Sequence, residues 1–511
     1  LAVSTVIVDG GPLSRAQVLA VARGEAGAEP GPDLAARMGP ARSVVESAVD
    51  SGEVVYGITT GFGALASTSI GRDQTEALQL NLVRSHAAGV GDPLPEAMVR
   101  AMLLLRARTL AQGHSGVRPL IVERLLKMLE LGILPVVPSQ GSVGASGDLA
   151  PFAHLALPLI GEGEVSWNGE VRPAAEALRD AGLEPVNLET KEGLSLLNGT
   201  EGMTAMGVLA HDAAATLLEA ADIACALTVE AVMGSSRPFR PEVHALRPHP
   251  GQTASAARIA SLLEGSGIGA SHADDFDHAV QDAYSLRCAP QVHGAVADTL
   301  DHMASVLDIE MGSVVDNPLV FADTGEVVSG GNFHGQPLAF VLDFCSIAVT
   351  ELGSISERRT DRILDPARSA GLPAFLAPQP GVNSGYMIGQ YTQAALVAEN
   401  RVLAHPASVE SIPTSGMQED HVSMGWGAGR KLGAILDNTR RVLAIELLCA
   451  TQGLEYRKPL TPAPGSGAVA ALIRQHVPPL TADRPIAAEI EKVATLIGDG
   501  SISSAAGVRP R

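Results

Sequence analysis

Aromatic side chains are scarce in this chain: 3 % of its residues, with two tryptophans and five tyrosines among them. The core of a 511-residue protein must then be packed mostly by leucine, valine and alanine, and a tyrosine outside an apolar run calls for its own explanation. Cysteine is rarer still. Cys225, Cys288, Cys345 and Cys449 lie far apart, fit no metal-ligand spacing and are too few for a disulfide framework, so a reducing cytoplasm is the expected setting. Basic residues are in deficit, 36 against 56 acidic ones, and the net charge of −20 has the wrong sign for a nucleic-acid or anionic-membrane partner. The first residues, Leu1 to Asp9, lack the basic region of a secretory signal, and no uninterrupted apolar run attains the length of a membrane span.

What is present is helical periodicity. A short β-like run, Thr5 to Val8, precedes Ala-rich helical sequence from Leu13 to Ala48, broken near Glu29-Pro30-Gly31-Pro32. Residues 74–110 and 98–131 read as helices, and 162–170 as a hairpin or surface excursion. Longer helices are predicted over 203–234, 290–309, 336–359 and 428–453. In the last, Leu432, Ile435, Leu436, Thr439, Val442 and Leu443 form one stripe, with Asp437, Asn438, Arg440 and Arg441 opposite. The expected fold is mainly α: residues 1–200 form an N-terminal domain with a Gly-rich loop, and residues 201–511 a long-helix bundle with a C-terminal helical region.

That loop, Gly141 to Pro151, contains Ala145-Ser146-Gly147. Gly147 has no Cβ, so its amide nitrogen can approach the carbonyl carbon of Ala145. Ring closure with loss of water, including the Ser146 hydroxyl, would leave a methylidene group conjugated to an imidazolone, an electrophile no side chain offers. A phosphate loop needs a Lys-Ser/Thr pair where this chain has Asp148-Leu149, and a nucleophile elbow needs glycine where it has Asp148. Alone, the triplet also reads as an ordinary Gly-Ser turn. Other candidates carry bland alternatives too. Tyr56, followed by three glycines in Gly57 to Gly63, reads as a base or a turn tyrosine. His86 reads as a ligand contact or a packing residue, and Asn198 as a binding amide or a cap. Gln281, Tyr284 and Arg287, spaced by three, could share one helical face and hold a carboxylate, or be a solvated surface. Asp316-Asn317-Pro318, Gly330 to Gly335 and Met417 to His421 complete the polar clusters.

Taken together, Tyr56-Gly57 with Thr60 to Gly63, the Ala145-Ser146-Gly147 block, Asn198-Gly199-Thr200, Gln281 to Pro290, Gly331 to Gly335 and Gln418 to Val422 resemble, in order, the aromatic amino acid ammonia-lyases and aminomutases. The resemblance spans nearly the whole chain. Ser85-His86 and Gln418-Glu419 are similar to the histidine-specific branch; relatives acting on phenylalanine or tyrosine have Phe-Leu or His-Leu and an Asp-containing amide pair there. The resemblance implies a 4-methylidene-imidazol-5-one formed from Ala145-Ser146-Gly147, no metal, and elimination of ammonia from L-histidine to give trans-urocanate. It further implies Tyr56 as the β-proton base, with Glu419 as the other carrier of that role. Arg287 and Asn198 would hold the carboxylate, and His86 and Glu419 the imidazole. Tyr284 and Gln281 would position the reacting groups, Phe333 would shape the pocket, and a homotetramer would share its sites between subunits. Val315 and Gly416 depart from the family pattern, where threonine and alanine are usual. Alternatives are an aminomutase returning ammonia to the β-carbon and a catalytically silent helical oligomer; the loop of fumarase-like lyases has no match.

Overall fold

A computed structural model describes residues 5–61, 63, 70, 71, 74–273 and 280–508. Helices dominate it, and the named strands form four sheets of two or three strands each. The chain divides into two compact units. The first comprises Leu1–Leu209, Ala304–Leu342 and Ala407–Arg430; the second comprises Ala210–Met303, Asp343–Pro406 and Lys431–Arg511.

The longest helices are Glu201–Ala231, Ala289–Glu310, Gln336–Leu364 and Gly425–Glu455, over the segments where the periodicity predicts them. In Gly425–Glu455 the predicted stripe is the buried one: Leu432, Ile435, Thr439, Val442 and Leu443 have no exposed surface. On the opposite side Arg440 pairs with Asp437 at 2.8 Å. Gln336–Leu364 is long and apolar enough to cross a membrane by length and composition, but 67 % of its most apolar stretch is buried within the protein. Its Asp343 is ion-paired with Lys431 at 3.1 Å. These are properties of a core helix.

In the first unit the strand Thr5–Val8 pairs in parallel with Gly27–Pro30. The sequence shows the second strand only as a break between helices; a two-stranded sheet is all edge, where proline is tolerated, and its pairing is tertiary rather than local. The predicted excursion near 162–170 is a hairpin, Glu164–Trp167 against Glu170–Pro173. Its two-residue connection is Asn168-Gly169 with φ of 54° and 81°, the left-handed pair that matches strand twist.

Candidate active site

The strand Pro138–Gln140 leads through an irregular stretch into the helix Leu149–Ala156. This stretch carries the Ala145-Ser146-Gly147 triplet and is gripped from two directions. Gly199 N donates to Ser146 O at 3.2 Å and Asp148 N donates to Gly199 O at 2.8 Å, a short parallel bridge between Gly147 and Gly199. On another side Met424 N donates to Val143 O at 3.0 Å and Trp426 Nε1 to Ser139 O at 2.9 Å. Gly147 has φ of 74°, and a Cβ there would lie 1.9 Å from Gly199 O. Only glycine satisfies both the left-handed backbone and the approach of a second backbone. A bent triplet, fixed at both flanks and free of a Cβ at its third residue, fits a ring made from its own atoms. Gly147→Ala is expected to destabilise the protein by at least about 2 kcal/mol, read as a lowered Tm or as loss of soluble protein.

Ser146 lines a cavity of about 370 Å³ in the first unit, together with Tyr56, His86, Asn198 and Glu419. One wall is the helix Thr75–His86, which presents Leu78, Leu82 and His86 at four-residue intervals. His86 Nδ1 lies 2.9 Å from Leu82 O. A carbonyl can only accept, so Nδ1 carries the proton and Nε2 of the neutral ring is an acceptor. Burial holds the His86 pKa below its usual value, against the opposing pull of the Leu82 carbonyl and the Glu419 charge. Glu419 is fixed by an antiparallel bridge to Thr414, whose Oγ1 donates to Glu419 Oε2 at 2.9 Å. Tyr56 Oη accepts from Gly63 N at 3.4 Å.

Asn198 is oriented by its neighbours. Its Nδ2 donates to Asn317 O at 2.9 Å and to Asp316 Oδ1 at 3.4 Å. Both are acceptors, so the amide cannot be turned round, and the buried Oδ1, which has no hydrogen-bond partner among the described residues, is the atom left for a ligand. The sequence reading expects Asn198 to help hold a carboxylate, which needs a donor. The geometry instead offers an acceptor.

Next to Asn198 lies a layer of buried charge in which the sequence reading names Asp316 but misses its basic neighbours Lys191 and Arg106. Lys191 Nζ donates to Asp316 Oδ2 and to Ser195 Oγ, each at 2.9 Å, with all three residues fully or almost fully buried. Burial pulls the Lys191 pKa down; for Asp316 burial pushes upward, but Lys191 and Arg106 outweigh it and keep the carboxyl below the usual range. Arg106 pairs with Glu201 at 2.5 Å, donates to Ser195 O at 3.0 Å and Asn198 O at 2.9 Å, and lies 4.5 Å from the Phe152 ring centroid. Burial also pushes the Asp148 carboxyl up to about 8. The signal for Arg106 was available: it interrupts the apolar run Met102 to Ala107, and a guanidinium there has to be paired.

The cavity thus gathers Tyr56, His86, Ser146, Asn198 and Glu419, while Ala145 and Gly147 flank Ser146 in the gripped stretch. Phe333 is half-buried beside His334, whose ring stacks on His421 with centroids 5.8 Å apart, and is not among the described residues lining the cavity. Phe62 lies outside the described residues. Gln281, Tyr284 and Arg287 belong to the second unit. Helix forms only over Tyr284–Arg287, so Gln281 precedes the turn rather than sharing a helical face with it. Gln281 and Arg287 line a cavity of about 920 Å³ in that unit. The Arg287 guanidinium lies 4.5 Å from the centroid of the Tyr284 ring, which is 71 % exposed.

The profile of the aromatic amino acid lyase family matches residues 13–475, and the chain belongs to that family. It is 54 % identical over 499 residues to a histidine ammonia-lyase of Gloeobacter violaceus, covering 98 % of this chain and 97 % of that protein. A histidine ammonia-lyase of Deinococcus radiodurans is 57 % identical over 448 residues, 88 % of this chain and 85 % of the relative. Among solved structures, a tyrosine aminomutase from Streptomyces globisporus superimposes with a TM-score of 0.94 at 40 % identity, covering 99 % of this chain and all of that one. Histidine ammonia-lyase from Trypanosoma cruzi gives 0.90 at 42 % identity, with 99 % and 96 % covered.

Proposed function

We propose that this chain is a carbon–nitrogen lyase that eliminates ammonia from L-histidine to give trans-urocanate, the opening step of histidine breakdown. The observation that carries this reading is the placement of His86 and Glu419 on one cavity wall system with Ser146. The neutral His86 ring offers the Nε2 lone pair, which takes an imidazole N–H. The Glu419 carboxylate faces the other ring nitrogen and favours its protonation. A phenyl ring would leave both acceptors unpaired and a phenol at least one, the kind of mismatch that discriminates strongly. The relatives named histidine ammonia-lyase support the same substrate.

A 4-methylidene-imidazol-5-one made from Ala145, Ser146 and Gly147 supplies the electrophile that turns the α-amine into a leaving group. Tyr56, acting as its phenolate, takes the proton of the β-carbon, whose C–H is a weak acid that needs a base within hydrogen-bond reach. Asn198 Oδ1 accepts from the substrate amine, and Arg287 holds the carboxylate through its planar fork. Gln281 and Tyr284 position the reacting end, and Phe333 shapes the approach to it. Because Tyr284 is exposed in the single chain, these groups are proposed to serve a site shared between subunits of a homotetramer. The exposed stripe Phe340, Phe344 and Ile347 on the helix Gln336–Leu364 supports such an assembly. Four free cysteines suit a reducing cytoplasm.

Purified protein given L-histidine is expected to show the ultraviolet rise of urocanate, with release of ammonia. Turnover of L-tyrosine or L-phenylalanine in place of L-histidine would refute the assignment of His86 and Glu419. The structural likeness to a tyrosine aminomutase makes a β-amino acid the second product to look for; its appearance would assign the chain to the aminomutases. The His86 geometry adds a pH dependence. As pH falls through the lowered His86 pKa, Nε2 gains a proton and the acceptor is lost, so KM for L-histidine should rise on the acid side. His86→Gln removes that titration, and its KM profile should lose the part of the acid limb that L-histidine's own imidazole does not account for.

A further inference from the structure

The turn that carries Tyr284 and Arg287 is four residues long, too short to hold its own shape. Leu286 anchors it by burial, and behind it in the second unit lies a polar network with no exposed surface at Asp222, His293, Arg359 or Glu446. Arg359 spends two arms of its guanidinium on Glu446, Nε to Oε1 at 2.5 Å and Nη2 to Oε2 at 2.9 Å. Its remaining nitrogen, Nη1, donates to Ser285 O at 3.4 Å, inside the turn, and to His293 Nε2 at 3.3 Å. Arginine cannot accept, so His293 Nε2 must be the unprotonated nitrogen. Its Nδ1 then donates to Asp222 Oδ1 at 2.7 Å. Asp222 is in turn held by Ser255 Oγ and Arg258 Nη1, both at 2.6 Å, and Glu446 by Thr228 Oγ1 at 2.9 Å and Ser356 Oγ at 2.6 Å. Each tautomer and rotamer in the chain is fixed from both ends.

We infer that His293 and Arg359 are positioning residues for the reaction, orienting the Tyr284–Arg287 turn through the Ser285 carbonyl. A buried ion pair needs no third and fourth partner to fill a core; an apolar pair of equal volume would serve stability as well or better. What the network adds is direction. The Ser285 carbonyl lies between the side chains of Tyr284 and Arg287 in sequence, so tilting it tilts both. The inference rests on the lyase reading above, because that reading is what places Tyr284 and Arg287 at the reacting substrate.

The test is a cycle of variants in the full-length enzyme, with kcat and KM for L-histidine, intact mass and Tm measured for each. His293→Asn keeps a donor for Asp222 but withdraws the acceptor from Arg359; His293→Gln keeps an acceptor at the Nε2 position. The expected result is about a tenfold fall in kcat/KM for His293→Asn at unchanged mass, as a displaced catalytic group produces, and a value within about twofold of wild type for His293→Gln. In a Tyr284→Phe background, His293→Asn should cost less than it does in the wild type, because the part of its effect that passes through Tyr284 is already gone and only the part through Arg287 remains. Full activity of His293→Asn, equal losses for Asn and Gln, or additive losses in the cycle would each overturn the inference while leaving the lyase reading intact. A wild-type protein inert toward L-histidine, or a fully active Tyr284→Phe, would instead overturn the reading it rests on. Should His293→Asn not fold, Arg359→Lys takes its place in the cycle, since a lysine at 359 cannot reach Glu446 and Ser285 together.

Discussion

Ser146→Ala is expected to leave a folded protein whose kcat for L-histidine is lower by about 10³-fold or more, the scale on which enzymes lose rate when a covalent catalytic group is removed. The fold should survive. Ser146 engages its surroundings through its backbone, with its carbonyl accepting from Gly199 N at 3.2 Å, and alanine keeps that contact. What disappears is the hydroxyl whose loss would create the methylidene carbon of the proposed ring. Intact mass separates the two effects. The wild-type chain should be lighter than its calculated mass by two waters, whereas the variant has no hydroxyl to lose and can shed only the water of ring closure. A wild-type preparation that deaminates L-histidine at its full calculated mass would remove the self-made electrophile from the mechanism.

Tyr56→Phe should lower kcat by about 10²–10⁴-fold, the usual contribution of a positioned general base, with KM little altered. The phenolic oxygen accepts from the Gly63 amide and lines the same cavity as Ser146, so it is held at the wall of the cavity that would take the substrate. Phenylalanine keeps the ring and its packing. The stability cost is that of one exchanged hydrogen bond, about 1 kcal/mol, and Tm should fall only slightly. An unchanged kcat would shift β-proton removal to Glu419, the other proton acceptor on the cavity. Full activity of the double variant Tyr56→Phe with Glu419→Gln would exclude both.

The long helices were legible in the sequence because their information is local: a stripe such as Leu432, Ile435, Val442 and Leu443 repeats at the helical period, and the structure buries that stripe. The Gly-rich stretch around Ser146 was legible for a different reason. Glycine at 147 states a steric requirement that the left-handed backbone and the adjacent Gly199 then explain. The orientation of Asn198 was not legible. Asn317, more than a hundred residues later, decides which end of the amide faces the cavity, and nothing near Asn198 in sequence carries that information. Lys191 was hidden for a similar reason. Between Glu189 and Glu192 it looks like part of a solvated charge run, and only its contact with Asp316 shows it to be an interior cation. Nor does sequence order alone reveal that residues 304–342 and 407–430 return to the first compact unit.

The two-sided grip on the Ser146 stretch bears on biosynthesis. Trp426 reaches back to Ser139 across 287 positions of chain, and Ser423 to Gly144 across 279. While the polypeptide is still being made, one of those jaws has not yet left the ribosome, and the stretch it will clasp has been waiting for most of the time synthesis takes. Ring chemistry that depends on the clasp would therefore be withheld from truncated or stalled products, and chains with no pocket to enclose a reactive alkene would not carry one.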